Sequence, residues 1–224
     1  MSQSDSTRGR FRESLHRLRG AQVVAFEAHG YLHGSEVSVA TGEADASGFE
    51  AVMKLLGDLD QLAEAVQSST YDVEGRDGRL RYRVVSADGS HGPWEVVKED
   101  HLGGLGFSAF YAGGGNDFTT ILDGLPEDGL PDVDGSRVEV EADLATVCHA
   151  LRGIDFQTET GTSAIPVGST VPVEVVVGDN GSLQLQLNGL ATAVALHEQG
   201  IPEFASLHDW FEPVNINVDF SERL

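Results

Sequence analysis

The segment Val173–Leu187 constrains this chain more than any other. Val173-Glu174-Val175-Val176-Val177 and Ser182–Leu187 are apolar-rich runs with polar residues set between apolar ones, joined by Gly178-Asp179-Asn180-Gly181. An Asn-Gly pair between two such runs specifies a β-hairpin, because both residues accept the left-handed backbone that tight turns between twisted strands require. Strands with one apolar side must bury that side against another layer, so the hairpin commits the chain to a sheet covered on one face. Further strands are predicted at Val23–Ala28 and Leu32–Thr41, with Gly30 and Gly34 marking turns or bulges, and at Thr70–Val73 and Leu80–Val85 around the loop 74–78. The turn Ala87-Asp88-Gly89-Ser90 leads into Trp94–Val97, and Val138–Ala142 and Val214–Phe220 complete the set.

Helical signals punctuate these strands. Ser47-Gly48-Phe49-Glu50 matches a capping box, and Phe49, Val52, Met53, Leu56, Leu59, Leu62, Ala63 and Val66 recur at helical spacing, which predicts an amphipathic helix over 47–66 despite Gly57. Asp117 is placed to cap a short helix through Phe118, Ile121 and Leu122, and Asp143 one whose apolar face is Leu144, Val147, Cys148 and Leu151. At the N-terminus Phe11, Leu15 and Leu18 stand at i, i+4 and i+7 among Arg8, Arg10, Arg12, Arg17 and Arg19, between Ser6 as a start and Gly20 as a stop. That helix either packs its stripe on the body while its arginines meet an acidic surface, or is a cationic amphipathic anchor for a membrane or for an acidic protein partner met through Arg8, Arg12 and Arg19. The residues thus predict an α+β arrangement: an arginine-rich helix at 1–20, and a single domain at 21–224 in which a meandering antiparallel sheet carries helices on one face.

Charge excludes some functions. A net charge of −22, with Lys54 and Lys98 the only lysines, opposes nucleic acid or anionic lipid as the main partner, since such binding draws on Lys and Arg. At 224 residues the chain buries enough surface to need no staple, and the lone Cys148 rules out an internal disulfide. No stretch approaches the ~20 apolar residues of a transmembrane helix, and the polar N-terminus shows no signal-peptide core, so the expected location is the cytoplasm.

The sequence carries no recognisable catalytic or metal-binding motif. There is no phosphate-binding G-x-x-x-x-G-K-[ST] and no G-x-S-x-G elbow, and Gly113-Gly114-Gly115 reads as a plain loop. His197-Glu198 begins like a zinc-protease helix, but Ile201 stands where the second histidine belongs. His29 and His33 would share a metal only on a helix; on a strand four residues span ~13 Å. The acidic loop Asp123, Glu127, Asp128, Asp132 and Asp134 lacks the ligand order of a calcium loop. Cys148, on an apolar helix face, reads as an inert thiol. Dispersed His101, His149 and His208 are the weak remaining grounds for an enzyme. The expectation is therefore a binder with no catalytic residue, cofactor or metal.

The C-terminal half carries a resemblance. Gly135-Ser136-Arg137-Val138-Glu139-Val140-Glu141-Ala142-Asp143-Leu144, then Val171–Gly181, then Asp209-Trp210-Phe211-Glu212-Pro213-Val214-Asn215-Ile216 resemble the LppX/LprG group of bacterial lipoproteins, within the LolA-like superfamily. In that group a strand enters a "D-L" helix, a "P-V-x-V-x-V-D-x-D-G" hairpin follows, and a "D-[WF]-G-x-P-V-x-[IV]" strand closes the domain. Thr41-Gly42-Glu43, Arg81-Tyr82-Arg83 and Gly92-Pro93-Trp94 fall in the same order. The resemblance implies a strongly curved antiparallel half-barrel with two to four helices on its concave face, enclosing an apolar cavity for lipid. The chain departs from the group in showing neither signal peptide nor lipidated cysteine, so the fold and the cavity carry over and membrane anchoring does not. Candidate cavity residues are Met53, Leu56, Leu59, Phe107, Phe110, Leu122, Val147 and Leu151, each of which would otherwise be ordinary core. The function expected is binding of a hydrophobic small molecule or lipid as a soluble carrier or sensor. The alternative is a ligand-free interaction module docking through the arginine-rich helix.

Overall fold

In a computed structural model the residues described are 3–56, 70–76, 79–96, 118–127, 133–134, 136–152, 165–199 and 214–223. They contain one sheet of eleven strands: β1 (Val23–Leu32), β2 (Ser35–Asp45), β3 (Gly48–Leu55), β4 (Thr70–Arg76), β5 (Arg79–Val85), β6 (Glu95–Val96), β7 (Val133–Asp134), β8 (Arg137–Asp143), β9 (Thr170–Val177), β10 (Leu183–Asn188) and β11 (Val214–Glu222). The order across the sheet is β6-β5-β4-β3-β2-β1-β11-β10-β9-β8-β7, and every described pairing is antiparallel. The sheet is curved but stays open. Four helices accompany it among the described residues: α1 (Gln3–Gly20), α2 (Thr120–Gly124), α3 (Leu144–Arg152) and α4 (Gly189–Glu198). The α+β fold class expected from the sequence is the one observed.

Strand alternation sets the two faces. On the inner face Phe26 and Ala28 of β1, Ile216, Val218 and Phe220 of β11, and Leu183, Leu185 and Leu187 of β10 are all buried, and alternate residues point outward. The hairpin at 173–187 pairs Val177 with Leu183 and Val175 with Leu185. Its turn places Gly181 at φ +79°, with the Gly178 N–H donating to the Ser182 carbonyl at 2.9 Å. Phe26 lies over Gly42, its partner on β2, where a Cβ would come within 2.6 Å of the ring. That ring and Phe118 pack edge to face, with centroids 5.7 Å apart.

The helix expected over 47–66 is not formed at its start: 48–55 is strand β3, and 57–66 lie outside the described residues. Asp45 is the reason at the N-terminal end, for its carboxylate accepts from the Ser47 N–H at 2.7 Å and from the Ser47 hydroxyl at 2.6 Å. Ser47 is therefore held in a turn rather than used as a helix cap. Gly48 follows at φ +137°, outside helical space, and a Cβ there would stand 1.9 Å from the Gly75 carbonyl oxygen. Phe49, Ala51, Met53 and Leu55 then face inward and Val52 is 51% exposed, a period of two that helical spacing had masked.

Helix α1 lies on the C-terminal half of the sheet with Phe11, Leu15 and Leu18 buried. It begins at Gln3, earlier than Ser6, and ends at Gly20 as expected. Its arginines reach the body. Arg10 donates to the Gly178 carbonyl and to Asp179, both at 2.9 Å, and Arg17 to the Gly181 carbonyl at 2.7 Å. Arg12 donates to the Glu127 carbonyl at 2.8 Å and Arg19 to Glu127 Oε1 at 2.5 Å. Asp143 caps α3 by accepting from the Thr146 N–H at 2.9 Å, and Asn188 caps α4 through the Ala191 N–H at 2.9 Å. No described helix is long and apolar enough to cross a membrane.

Candidate functional site

The expected cavity residues fall into two groups on the inner face. Leu122 on α2 and Val147 and Leu151 on α3 are buried where those two helices pack together. The packing is close, since a Cβ on Gly124 would stand 3.0 Å from the Thr146 Cβ. Met53 is buried too, but on β3 in the other half of the sheet rather than on a helix. Leu56 follows the end of β3, half-buried, with its N–H donating to the Val37 carbonyl at 2.8 Å. Leu59, Phe107 and Phe110 lie outside the described residues. All the buried members belong to one continuous core.

That core is unevenly roofed by the described elements. Helices α1, α3 and α4 rest on strands from β7 to β11, and α2 rests on α1 and α3. The apolar face nevertheless continues without a break into β3 and β4 as Phe49, Ala51, Met53, Leu55 and Val73, flanked by half-buried Tyr71, Leu80 and Tyr82. Tyr71 and Tyr82 meet edge to face at 6.0 Å, and the Tyr82 hydroxyl donates to Glu95 at 3.0 Å. Burial, then that bond, keeps the Tyr82 hydroxyl protonated above its ordinary range. This patch is apolar with a polar margin, a suitable wall for an acyl chain.

The outer face of the same strands holds a groove of about 580 Å³ that the sequence reading missed. Glu43, Glu50, Glu74 and Arg81 stand in register across β2, β3, β4 and β5, and Thr41, Val52, Asp72 and Arg83 form the next row. Glu74 is buried between Arg76 and Arg81, each 2.8 Å or less away. Arg83 bonds Asp72 at 2.7 Å, Arg76 also bonds Glu50, and Arg223 bonds Glu43. Trp94 lies over both the Arg81 and Arg83 guanidinium groups at 4.6 Å. The bond from Glu50 holds Arg76 more firmly in its charged form. Each of these arginines already faces a carboxylate, so the groove presents a neutralised lattice rather than an open anion site. Its sequence signal was a period-two pattern of charges, which becomes a cluster only once the register is known.

Cys148 is buried on α3, and burial pushes its thiol well above the ordinary range. His29 bonds Glu36 at 2.6 Å and Glu27 at 3.1 Å, whereas His33 sits in the β1–β2 turn at φ +50°. No group of three or more metal-ligating side chains forms among the described residues. His149 makes contacts within the fold, and His101 and His208 lie outside the described residues.

No protein-family model matches the chain, and no curated protein matches it significantly. Solved structures do. The lipoprotein LppX of Mycobacterium tuberculosis is similar at 14% identity and a TM-score of 0.38, with 97% of this chain and 94% of that one covered. LprF of Mycobacterium bovis is similar at 10% identity and a TM-score of 0.43, covering 97% and 92%. A DUF1329 family protein from Desulfovibrio piger is similar at 8% identity and a TM-score of 0.35, covering 99% and 92%. The likeness is to the fold of these proteins and extends over nearly the whole chain.

Proposed function

We propose that the protein binds a hydrophobic small molecule or lipid against the inner face of its sheet, as a carrier or sensor without covalent chemistry. One observation carries the reading. The inner face of the sheet is apolar without a break from β8 across to β4, with Phe49, Met53, Leu55 and Val73 buried in the same core as the C-terminal strands, and a continuous apolar interior of that kind suits an apolar ligand. The wall would be formed by Phe49, Met53, Leu55 and Val73, with Tyr71 and Tyr82 at its margin. Leu122, Val147 and Leu151 serve instead as packed core between helices. The arginines of α1 favour this reading over docking through that helix, since Arg10, Arg12, Arg17 and Arg19 bond to the body of the same molecule.

The test joins uptake of a fluorescent fatty acid to thermal melts of two variants. Leu80→Trp, at the half-buried margin of the wall, should abolish uptake and leave Tm unchanged, because added bulk there meets the ligand and not a packed core. Val147→Trp should lower stability by about 1–3 kcal/mol, as overpacking of a dense core does. A wild-type protein that takes up no probe and releases no lipid into a native mass spectrum would end the carrier reading. So would undiminished uptake by Leu80→Trp.

A further inference from the structure

Helix α4 is apolar on both sides. Thr192, Ala193 and Leu196 face the core, yet Leu190 and Val194, one turn apart, remain 46% and 44% exposed. A surface helix normally carries polar side chains on its outer side. Beside it the turn that precedes β9 projects Val167 fully into solvent. A groove of about 620 Å³ lies there, walled by Pro166, Val167, Ala191, Val194 and Ala195. Among the described residues its charged lining consists of the exposed carboxylates Glu141 and Glu198, with no Lys or Arg. Ser169 also lines it and is 6% exposed, and its hydroxyl has no hydrogen-bond partner among the described residues.

We infer that this groove docks a segment of a partner protein that combines apolar side chains with Arg or Lys. The apolar walls supply area, and Glu141, Glu198 and the net charge of −22 select a cationic segment. A second copy of the chain brings the same negative charge and is repelled. An anionic bilayer is repelled too, and the described lining offers no cation to hold it.

The experiment uses the full chain and three labelled synthetic peptides, alternating Leu with Arg, Leu with Glu, and Ser with Arg. Fluorescence anisotropy at physiological salt should show binding of the Leu–Arg peptide and at least about tenfold weaker binding of the others. The double variant Leu190→Ser/Val194→Ser keeps the charge and should weaken the Leu–Arg peptide about tenfold at unchanged Tm. Val167→Ser, at a fully exposed position, provides the same readout if the double variant folds poorly. Equal binding of the Ser–Arg peptide, or affinity that none of these serines reduces, would show attraction by charge alone and overturn the inference. A wild-type protein that binds no peptide would overturn it as well. So would a dimer in sedimentation that the double variant dissociates, since the groove would then be a contact between copies.

Discussion

The guanidinium of Arg19 donates twice to the carbonyl of Leu122, from Nε at 2.9 Å and from Nη2 at 2.6 Å. The same Nη2 reaches the Leu125 carbonyl at 2.8 Å. A residue in the last turn of α1 thus holds carbonyls at and just beyond the end of α2, where the Leu122 carbonyl otherwise accepts only a long bond from the Leu125 N–H at 3.4 Å among the bonds described. Arg19→Ala should destabilise the fold by about 1.5–3 kcal/mol in a denaturant melt, the range for bonds to a charged donor. Arg19→Lys should recover only part, because one ammonium does not reproduce the planar fork. Full stability of Arg19→Ala would show that water replaces the guanidinium without loss.

His29 gives stability a dependence on pH. The bonds from Glu36 and Glu27 raise its pKa above the usual 6.5 against a smaller opposing effect of burial. A group raised on folding stabilises fully below its unfolded pKa, and that contribution is lost as pH rises through the folded value. Wild type should therefore exceed His29→Gln in Tm near about pH 5.5, and the gap should shrink toward about pH 9. A gap that is constant across this range would remove the charge of His29 from the account.

Cys148 should be silent in the folded protein. Its thiol is fully buried, and both burial and the nearby Asp143 carboxylate oppose the reactive thiolate. Ellman's reagent should label it quickly in denaturant and, in buffer, only at the rate of unfolding. Rapid labelling of the native protein would show that α3 opens locally.

The parts of the fold readable in advance are those where local chemistry admits one answer. Asn180-Gly181 allowed a hairpin and little else, and Asp143 ahead of Leu144, Val147 and Leu151 allowed a capped helix. At 49–55 the same side chains satisfied two periods: Phe49, Val52, Met53 and Leu56 suit a helix, and Phe49, Ala51, Met53 and Leu55 suit a strand. What decided was tertiary, since β3 has a partner strand on each side and Gly48 must pass beneath the Gly75 carbonyl. Helix α4 went unread for a related reason. Gly189–Leu196 follows β10 directly and has no polar side to give a period. Sites were harder still. Glu43, Glu50, Glu74 and Arg81 are scattered along the chain, and only the register of four strands sets them in a row.

At the middle of the sheet β1 pairs with β11, so Val24 stands opposite Glu222 and Phe26 opposite Phe220. Each half of the sheet can assemble from neighbouring hairpins, but the seam between them joins residues nearly the whole chain apart. During synthesis β1 leaves the ribosome early and must wait for almost everything else before its second neighbour exists. Until then one edge of the N-terminal meander stays open, with Phe26 and Ala28 only partly covered. Closing so long a loop is slow, and an open strand edge invites pairing with the wrong chain. The seam therefore makes the N-terminal half the part of this protein that most needs protection before folding is complete.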